Sequence, residues 1–565
     1  MMPMTRWFIT LVLLLPACGD GGGKGDGDAD EGIDLETADD PAADVPDGDV
    51  ADDTGTEDGP DADLDVEDVE EPECAAEGGA RCTYVAPDGD DAGPGTIDQP
   101  FKTFRAAMTL AAPGDFIYAR GGTYGLASAM VSGVDRDEDS YPATSCPEGQ
   151  VLADEYCFTD TYAMIAIQDF SGWASNTPAY TVASGEEGRP VTVRSFPGER
   201  PVLDVGAFTQ RAVTAYLKAF WVVQGFEIVG GNVNIGGGTD TEQTHDITVR
   251  GCNVHDLTLD GGDNPGLVRI DRGDTGGPYN ISVLDNELHG IYDWEQPGEW
   301  QGVPDMQHFG AVTTLSRENY FGYDGGGTGA IRIEGNTIYH CPQAFFFKNP
   351  MRGPVDILGN VIHDVGALGI MGAANVTMRG NLVHGVSGGW WAVGNEGYED
   401  ERLHAIAGQN ALIEANTFVG LDSLLGIRCG TGHTIRANVF FGFTGRVEGA
   451  GWDTPSYIAK SETYPDPMDP AASILQTITS SENCFFVPFE DFQFVSRYIP
   501  PEVTGTGEWH LDHWSCAEAG SIFGFDTDST VIVEDDPAAV FVDPAAGDYH
   551  LIDPARCPHP GVIDE

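Results

Sequence analysis

The chain has 565 residues and a formal net charge of −64 at pH 7, from 91 acidic and 27 basic side chains. This length is enough for a large hydrophobic core. A chain this acidic does not bind nucleic acids or anionic membrane surfaces through its overall electrostatic field, because the protein and both of these partners are negatively charged. An acidic polysaccharide would need a local basic patch or bridging cations.

The first 18 residues have the pattern of an export signal. Arg6 supplies a positive charge, residues 7–15 are apolar, and the segment ends in Leu15-Pro-Ala-Cys18. This ending resembles the lipobox of bacterial lipoproteins, in which the cysteine is lipidated after cleavage. The resemblance implies an exported protein, lipid-anchored through Cys18 at the bacterial outer membrane or cell surface. The alternative is an ordinary signal peptide with an incidental cysteine.

An acidic segment follows over residues 19–73, with 24 acidic residues, one basic residue and no aromatic residue. Such a segment cannot bury enough apolar surface to offset the entropy of ordering, and its like charges repel. The composition predicts a disordered, extended tether. We assign the rest of the chain to an N-terminal cap with the first coils (74–190), a solenoid (191–555) and a tail (556–565).

A repeat built around asparagine is the most informative feature of the sequence. Its form is apolar-x-x-Asn-x-apolar, as in Ile357-Leu-Gly-Asn360-Val-Ile. The asparagines of the regular copies are Asn286, Asn336, Asn360, Asn381, Asn416 and Asn438. Asn483 extends the series, and Asn253 marks an earlier, irregular copy. The commonest spacing indicates coils of about 22 residues.

The alternation on both sides of each asparagine predicts two short strands, with apolar side chains inward and charged ones outward. Because each coil buries its apolar side chains only against neighbouring coils, the predicted fold class is an all-β parallel solenoid. We expect the asparagine to occupy a left-handed bend between the strands, and its amide to bond from coil to coil.

Several segments resemble pectate-lyase-like right-handed parallel β-helix proteins. They include Gly121-Gly-Thr-Tyr124, Trp221-Val-Val-Gln-Gly-Phe226 and the closing segment 541–551. The resemblance covers roughly residues 82–555 and implies a right-handed parallel β-helix with an N-terminal cap. Members of this family include lyases, hydrolases, epimerases and non-catalytic surface proteins, so the resemblance does not assign a function.

The cysteines fit an exported protein. The chain has 11, so ten remain besides Cys18, an even number. Proximity in sequence suggests three local disulfides, Cys74–Cys82, Cys146–Cys157 and Cys484–Cys516. The sequence does not pair the other four, which are Cys252, Cys341, Cys429 and Cys557.

Lys348 is the leading catalytic candidate. It is one of five lysines in the chain and precedes Arg352 by four residues. Some β-helix polysaccharide lyases, which this chain resembles, use a lysine to abstract the C5 proton of a uronate. Such a base needs a pKa lowered by burial or by a neighbouring cation, and calcium or arginine neutralises the carboxylate. The alternative is a lysine that ends a solvent-facing strand.

Two long insertions interrupt the repeat, at 292–327 and 387–404. Long loops on one side of a solenoid commonly build its binding face. Aromatic rings stack on sugar C–H surfaces, and acidic side chains bind calcium. The candidate sugar-binding residues are Trp294, Trp300, His308, Trp390 and Trp391. The candidate calcium ligands are Asp293, Glu295 and Asp305. The alternative is that these loops only pack against the outer wall.

Histidines also follow the repeat. His289, His363 and His384 each lie three residues after a repeat asparagine, with His255 and His340 shifted by one. Stacked imidazoles are potential metal ligands. Because their position comes with the repeat, we interpret them as turn residues that line the solenoid.

The functional hypothesis is a monomeric surface lipoprotein whose β-helix binds a polysaccharide or surface glycan, and whether it also cleaves the glycan is left open. The membrane would be contacted only through the lipid anchor, with calcium as the candidate cofactor. Cleavage would follow a lyase mechanism with Lys348 or a hydrolase mechanism with paired loop acids. The alternative is a non-catalytic adhesion or glycan-binding protein.

Overall fold

The computed structural model describes residues 79–125, 150–153, 156–159, 163–170, 179–205, 211–238, 242–257, 266–271, 277–291, 310–315, 330–351, 353–386, 388–392, 409–421, 425–427, 431–442, 458–461, 474–488, 493–499 and 510–557. Within these ranges the strands are numbered β1 to β40 along the chain, and 36 of them form three sheets of twelve strands each.

Sheet 1 consists of β1 (Cys82–Val85), β2 (Phe116–Ala119), β7 (Val191–Ser195), β10 (Ala219–Gln224), β13 (His245–Arg250), β16 (Tyr279–Leu284), β19 (Ile331–Glu334), β22 (Val355–Leu358), β25 (Val376–Arg379), β28 (Leu412–Glu414), β31 (Thr434–Arg436) and β34 (Thr479–Ser481).

Sheet 2 consists of β3 (Gly122–Tyr124), β8 (Pro201–Asp204), β11 (Glu227–Val229), β14 (Asn253–His255), β17 (Glu287–His289), β20 (Thr337–Tyr339), β23 (Val361–His363), β26 (Leu382–His384), β29 (Thr417–Val419), β32 (Val439–Phe441), β35 (Cys484–Val487) and β38 (Thr530–Val533).

Sheet 3 consists of β6 (Ile165–Ile167), β9 (Arg211–Tyr216), β12 (Asn232–Gly236), β15 (Gly266–Asp271), β18 (Gly310–Leu315), β21 (Gln343–Met351), β24 (Ala367–Ala373), β27 (Gly388–Ala392), β30 (Leu425–Ile427), β33 (Ile458–Ser461), β36 (Gln493–Ile499) and β37 (His510–Ser515).

The remaining elements are short. Two antiparallel hairpins pair β4 (Gln150–Ala153) with β5 (Tyr156–Thr159) and β39 (Phe541–Asp543) with β40 (Asp548–Leu551). The helices are α1 (Phe104–Met108), α2 (Cys516–Phe523) and the 3-10 turns η1 (Ile474–Thr477), η2 (Pro537–Ala539), η3 (Pro544–Ala546) and η4 (Pro554–Arg556).

The order of the strands is that of a parallel solenoid. The chain visits sheet 1, sheet 2 and sheet 3 in turn, and each coil adds one strand to each sheet. Neighbouring strands are parallel, as in the pairing of β22 with β25, except that β36 and β37 are antiparallel. The predicted all-β solenoid is confirmed, and its apolar rows, such as Ile333, Ile357 and Met378, are buried in one continuous core.

Buried asparagines join the coils between sheets 1 and 2. The asparagines at 286, 336, 360, 381, 416, 438 and 483 are all at most 2% exposed. From Asn336 onward, the side-chain oxygen of each accepts hydrogen bonds from the backbone N–H and the side-chain amide of the preceding asparagine, at 2.8–3.0 Å. Because both donors and the acceptor are satisfied, the amides stabilise the stack from inside.

The expectation that these asparagines adopt the left-handed conformation is wrong. The left-handed residue is the one before each asparagine, namely Asp285, Gly335, Gly359, Gly380, Ala415, Ala437 and Glu482, with φ between 53° and 75°. None of the ladder asparagines has a positive φ. The bend therefore precedes the asparagine, whose side chain is left free to turn inward and reach the next coil.

The earlier copy of the repeat is regular, but with a cysteine in place of the asparagine. Asn253 pairs with Glu287, so Cys252 and not Asn253 lies in register with Asn286. The backbone N–H of Cys252 accordingly donates to the side-chain oxygen of Asn286 at 2.9 Å. Cys252 is a free, buried thiol that begins the asparagine ladder.

The C-terminal hairpin covers part of the outer face of sheet 2. Phe541 on β39 and Cys557 join a separate apolar cluster with Phe441 and Phe486 of that sheet. The expected Cys484–Cys516 disulfide is wrong, because Cys484 is bonded to Cys557 and Cys516 is free. Cys484 lies outside the main core in the hairpin cluster, whereas Cys516 packs against the main core from α2.

Candidate functional site

Sheet 3 brings together residues that the sequence analysis treated separately. Lys348 lies on β21, and Trp390 and Trp391 lie on β27, with only β24 between these two strands. Phe345 on β21 is in register with Gly369 on β24, which is in register with Trp390 on β27. The lysine strand and the tandem tryptophans are therefore about two strand spacings apart, ~10 Å, on one sheet.

Both predicted insertions attach to this same sheet. Residues 292–309 lead into β18, residues 316–329 follow it, and residues 393–408 follow β27. In sheet order, β18, β21, β24 and β27 are adjacent. The connections that begin and end these insertions therefore flank the strand of Lys348.

Many of the predicted site residues lie outside the described residues. These are Cys18, Cys74, Cys146, Trp294, Trp300, His308, Asp293, Glu295, Asp305 and Arg352. Lys348, Trp390, Trp391 and Cys157 are placed by their backbones, and their side chains lie outside the described part. The pairing of β21 with β24 changes register between Phe347 and Met351, so Lys348 occupies an irregular stretch of strand.

A polar row crosses sheet 3 on the N-terminal side of Lys348. Thr214, Asn234, Arg269 and Thr313 are in register on β9, β12, β15 and β18. Their strand neighbours, such as Val233 and Ile270, point into the core, so this row faces outward. The hydroxyls of Thr214 and Thr313 are nevertheless buried, with no hydrogen-bond partner among the described residues.

One member of this row, Arg269, forms an ion pair. The guanidinium Nε of Arg269 donates to both carboxylate oxygens of Asp271, at 2.9 and 2.8 Å. Each side chain keeps 21% of its surface exposed. Because this ion pair is partly buried in the outer face and partly exposed to solvent, it is able to bind a polar ligand.

A glycine notch lies next to the ion pair. Gly236 is in register with Tyr216 on one side and Asp271 on the other. A Cβ atom on Gly236 would lie 3.3 Å from Cβ of Asp271 and 3.4 Å from Oδ1 of Asn234. We call this set, Tyr216, Asn234, Gly236, Arg269 and Asp271, the Gly236 notch.

The Gly236 notch is not among the sites predicted from the sequence. The alternating pattern of Leu267-Val-Arg-Ile-Asp271 holds the signal, because the arginine and aspartate fall on one face of a strand whose other face is apolar. The pattern of Val233-Asn-Ile-Gly236 is the same. These coils lack the ladder asparagine, and without that phase marker their outward positions do not stand out.

The comparison with protein families supports the fold. Residues 83–305 match the family model of the Pel9A-like right-handed beta helix region. Over this stretch the chain is similar to a pectate-lyase-like right-handed β-helix region. The matched stretch contains the whole Gly236 notch, whereas Lys348 lies beyond its end.

Several solved structures are similar to the chain at low identity. Pectate lyase Pel9A is 17% identical, with a TM-score of 0.38, over 65% of this chain and 79% of that chain. The GH136 lacto-N-biosidase of Eubacterium ramulus is 14% identical, with a TM-score of 0.38, over 68% and 67%. PfbA, a surface adhesin of Streptococcus pneumoniae, is 12% identical, with a TM-score of 0.39, over 69% and 83%. No curated protein sequence matches the chain.

The histidines of the β-helix form a stacked column on the outer face of sheet 2. His255, His289, Tyr339, His363 and His384 are in register on successive strands, with ring centroids 4.5–5.2 Å apart and nearly parallel planes. On β20 the column position is occupied by Tyr339, and His340 is the next residue. His255 lies three residues after Cys252, which takes the place of the ladder asparagine, so its spacing matches that of the other histidines. Burial and the neighbouring His363 lower the pKa of His384 to about 4.

This column is not arranged as a metal site. Its rings stack face to face, whereas imidazole binds a metal through a nitrogen in the ring plane. Across the described side chains, no three His, Cys, Asp or Glu residues are grouped so that they could hold a metal ion. Within the same ranges, no helix is long and apolar enough to cross a membrane.

Proposed function

We propose that the protein is a surface lipoprotein that binds a polysaccharide along sheet 3 and cleaves it as a lyase. The observation that carries this proposal is the topology of sheet 3. It gathers Lys348, the Trp390–Trp391 pair and the connections to both insertions on four adjacent strands. A catalytic base, aromatic residues and long loops on one sheet are the components of a polysaccharide site.

Lys348 is the proposed general base. It removes the C5 proton of a uronate unit, the electrons form a C4–C5 double bond, and the C4–O bond to the leaving sugar breaks. Arg352 is proposed to pair with the uronate carboxylate and to stabilise the charge that develops there. Trp294, Trp300, His308, Trp390 and Trp391 are proposed to hold the neighbouring sugars by stacking and hydrogen bonding.

Calcium is the proposed cofactor, with Asp293, Glu295 and Asp305 as candidate ligands. All three carry the oxygen donors that calcium prefers. They lie outside the described residues, so we assign calcium no step, and the assay below measures whether the activity depends on it.

Anchoring and domain organisation follow the sequence. Cys18 would carry the lipid after removal of residues 1–17, and residues 19–73 would form the acidic tether. The β-helix would then stand away from the membrane as a monomer, facing polysaccharide at the cell surface. Residues 19–73 contain 24 acids and one base, and mutual repulsion of these charges would favour an extended tether.

A second candidate function is glycan binding without cleavage. The Arg269–Asp271 pair favours it, because a carboxylate whose two oxygens both accept hydrogen bonds from an arginine is suited to binding rather than to proton transfer. This candidate uses the same face of sheet 3.

The deciding experiment is to incubate the purified full-length protein with uronate polysaccharides, with and without calcium, and to follow the ultraviolet absorbance of new unsaturated ends. A lyase produces these ends, and Lys348→Ala does not. Lys102→Ala, the same change in the N-terminal cap, is the matched control. Binding without any product from any polymer would favour the second candidate.

A further inference from the structure

We propose that the Gly236 notch is a binding subsite for a neutral sugar unit of the polysaccharide. This inference rests on the proposed function, since it assumes that sheet 3 binds a glycan. It adds the chemical class of the unit and the residues that recognise it, none of which belongs to the site predicted from the sequence.

Tyr216 forms one side of the notch. The ring of Tyr216 lies against the backbone of Gly237, where a Cβ atom would come within 2.1 Å of the ring carbon Cε2. Tyr216 still exposes 46% of its surface. A ring that lies against glycine and still exposes nearly half of its surface can serve as a platform, and the C–H face of a sugar stacks on such a ring.

Hydrogen-bonding groups lie opposite the tyrosine. Asp271 and Arg269 are paired at 2.8 Å and remain partly open to solvent. Asn234 lies on the strand between them and Tyr216, with its side-chain oxygen facing the position that a Gly236 side chain would occupy. A carboxylate, a guanidinium and an amide beside an aromatic ring can bond to adjacent hydroxyls of one sugar.

Gly236 has no side chain to fill the space between these groups. Its neighbours in register are Tyr216 and Asp271, and a single Cβ atom there would make tight contacts with Asp271. The glycine therefore leaves a depression between the platform and the ion pair. Gly236 has no positive φ, so its backbone conformation does not itself require glycine.

Charge decides between a neutral and an acidic sugar. Arg269 is already neutralised by Asp271 through both carboxylate oxygens. A uronate in the notch would place its carboxylate beside Asp271, on a chain whose net charge is −64. Neutral hydroxyls avoid this repulsion, so the notch selects a neutral sugar.

The position of the notch sets its relation to the proposed base. β15, which carries Arg269 and Asp271, is separated from the Lys348 strand β21 only by β18. The two sites are thus at least ~10 Å apart along the axis. A glycan of several sugars that lies along the axis would occupy both, and a short one would occupy only one of them.

The test is calorimetric titration of the full-length protein with two oligosaccharide series, neutral (glucose, galactose, mannose and xylose oligomers) and uronic. Tyr216→Ala, Asp271→Asn and Gly236→Ala should each weaken binding of the neutral oligosaccharides by at least about fivefold, as expected for one lost stacking or hydrogen-bonding contact. Tyr216→Phe, which keeps the ring, should retain the affinity. Unfolding temperatures show that each variant is folded.

The matched control is Asp285→Asn. Asp285 forms the same kind of ion pair with Arg250, at 3.2 Å, away from sheet 3. This control should bind like the wild type. Binding confined to uronic oligosaccharides and insensitive to the notch variants would overturn the subsite while leaving the proposed function intact. If no oligosaccharide binds the wild type, the proposed function and the subsite both fail.

Discussion

The side-chain oxygen of Asn381 accepts two hydrogen bonds from Asn360, one from its backbone N–H and one from its side-chain amide, each 2.9 Å long. Asn360 in turn accepts the same two bonds from Asn336. We therefore predict that Asn360→Ala lowers the free energy of unfolding by roughly 1–2 kcal/mol, because buried donors lose their acceptor. Equilibrium denaturation in urea measures this loss.

The control for the ladder is Asn253→Ala. Asn253 is half-buried on the outer face of sheet 2 and contacts His289 at 3.0 Å, so its truncation should cost distinctly less. Asn381→Ala should match Asn360→Ala. If neither ladder variant alters stability, the buried amides do not hold the coils together.

The sequence predicted the solenoid because its strands and bends repeat in phase. An apolar residue three before and two after each asparagine, as at Ile357 and Ile362, defines two strands and their inward faces without any knowledge of the fold. The left-handed bend was assigned one residue too late. Ala415 and Ala437 adopt it although alanine disfavours that conformation, so composition alone did not mark the position.

The residues of the candidate site were only partly predictable. Lys348 and the tryptophans are rare residue types and stand out in the sequence, whereas Arg269 and Asp271 resemble any outward pair on a strand. That Lys348 and Trp391 share a sheet depends on counting coils across insertions, which the sequence does not mark at both ends. The Cys484–Cys557 pairing likewise depends on how the chain folds back over the 73 positions that separate the two cysteines.

The disulfide provides the second prediction. Cys557→Ser removes the bond that joins the C-terminal hairpin to β35, and a disulfide of this kind typically contributes about 2–4 kcal/mol. We expect a lower unfolding temperature and earlier proteolytic cleavage near residues 541–551. Cys516→Ser should change neither, since that thiol is free. Peptide mapping that joins Cys484 to Cys516 would contradict the structure.

The third prediction concerns His433, which is fully buried in the core. Its Nδ1 accepts a hydrogen bond from the Ala411 backbone N–H at 3.4 Å, and burial lowers its pKa to about 4. A folded-state pKa below the unfolded value means that the folded state binds the proton less tightly. Its contribution to stability is therefore present above pH 6.5 and is lost as the pH falls towards 4.

The variant His433→Asn tests this dependence, because asparagine keeps an acceptor for Ala411 and does not titrate. Urea denaturation between pH 7 and pH 4 should show a decline in stability that is smaller in the variant by about 2–3 kcal/mol. At neutral pH the variant should be the less stable protein, since it packs a smaller side chain. An equal decline in both proteins would show that His433 does not contribute.

The fourth prediction concerns the anchor. If Cys18 is lipidated, the mature protein should enter the detergent phase with membranes, and Cys18→Ser should leave it in the aqueous phase. Several acyl chains on one cysteine suffice for stable attachment, whereas a purely electrostatic attachment of so acidic a chain to an anionic membrane is unfavourable. Release of the wild-type protein by salt alone would exclude the lipid anchor.

The last prediction separates the chemistry of sheet 3 from its binding. Lys348→Ala should reduce the rate of polysaccharide cleavage by at least about a hundredfold, because a general base typically contributes 10²–10⁴-fold. Binding should persist, since the aromatic residues hold the sugar. Trp391→Ala or Trp300→Ala should instead weaken binding by about 1 kcal/mol or more, the value of a lost stacking surface. Parallel measurements of cleavage and calorimetric affinity distinguish these effects. A Lys348→Ala protein that cleaves at the wild-type rate would exclude Lys348 as the base, and tryptophan variants that bind normally would place the glycan elsewhere.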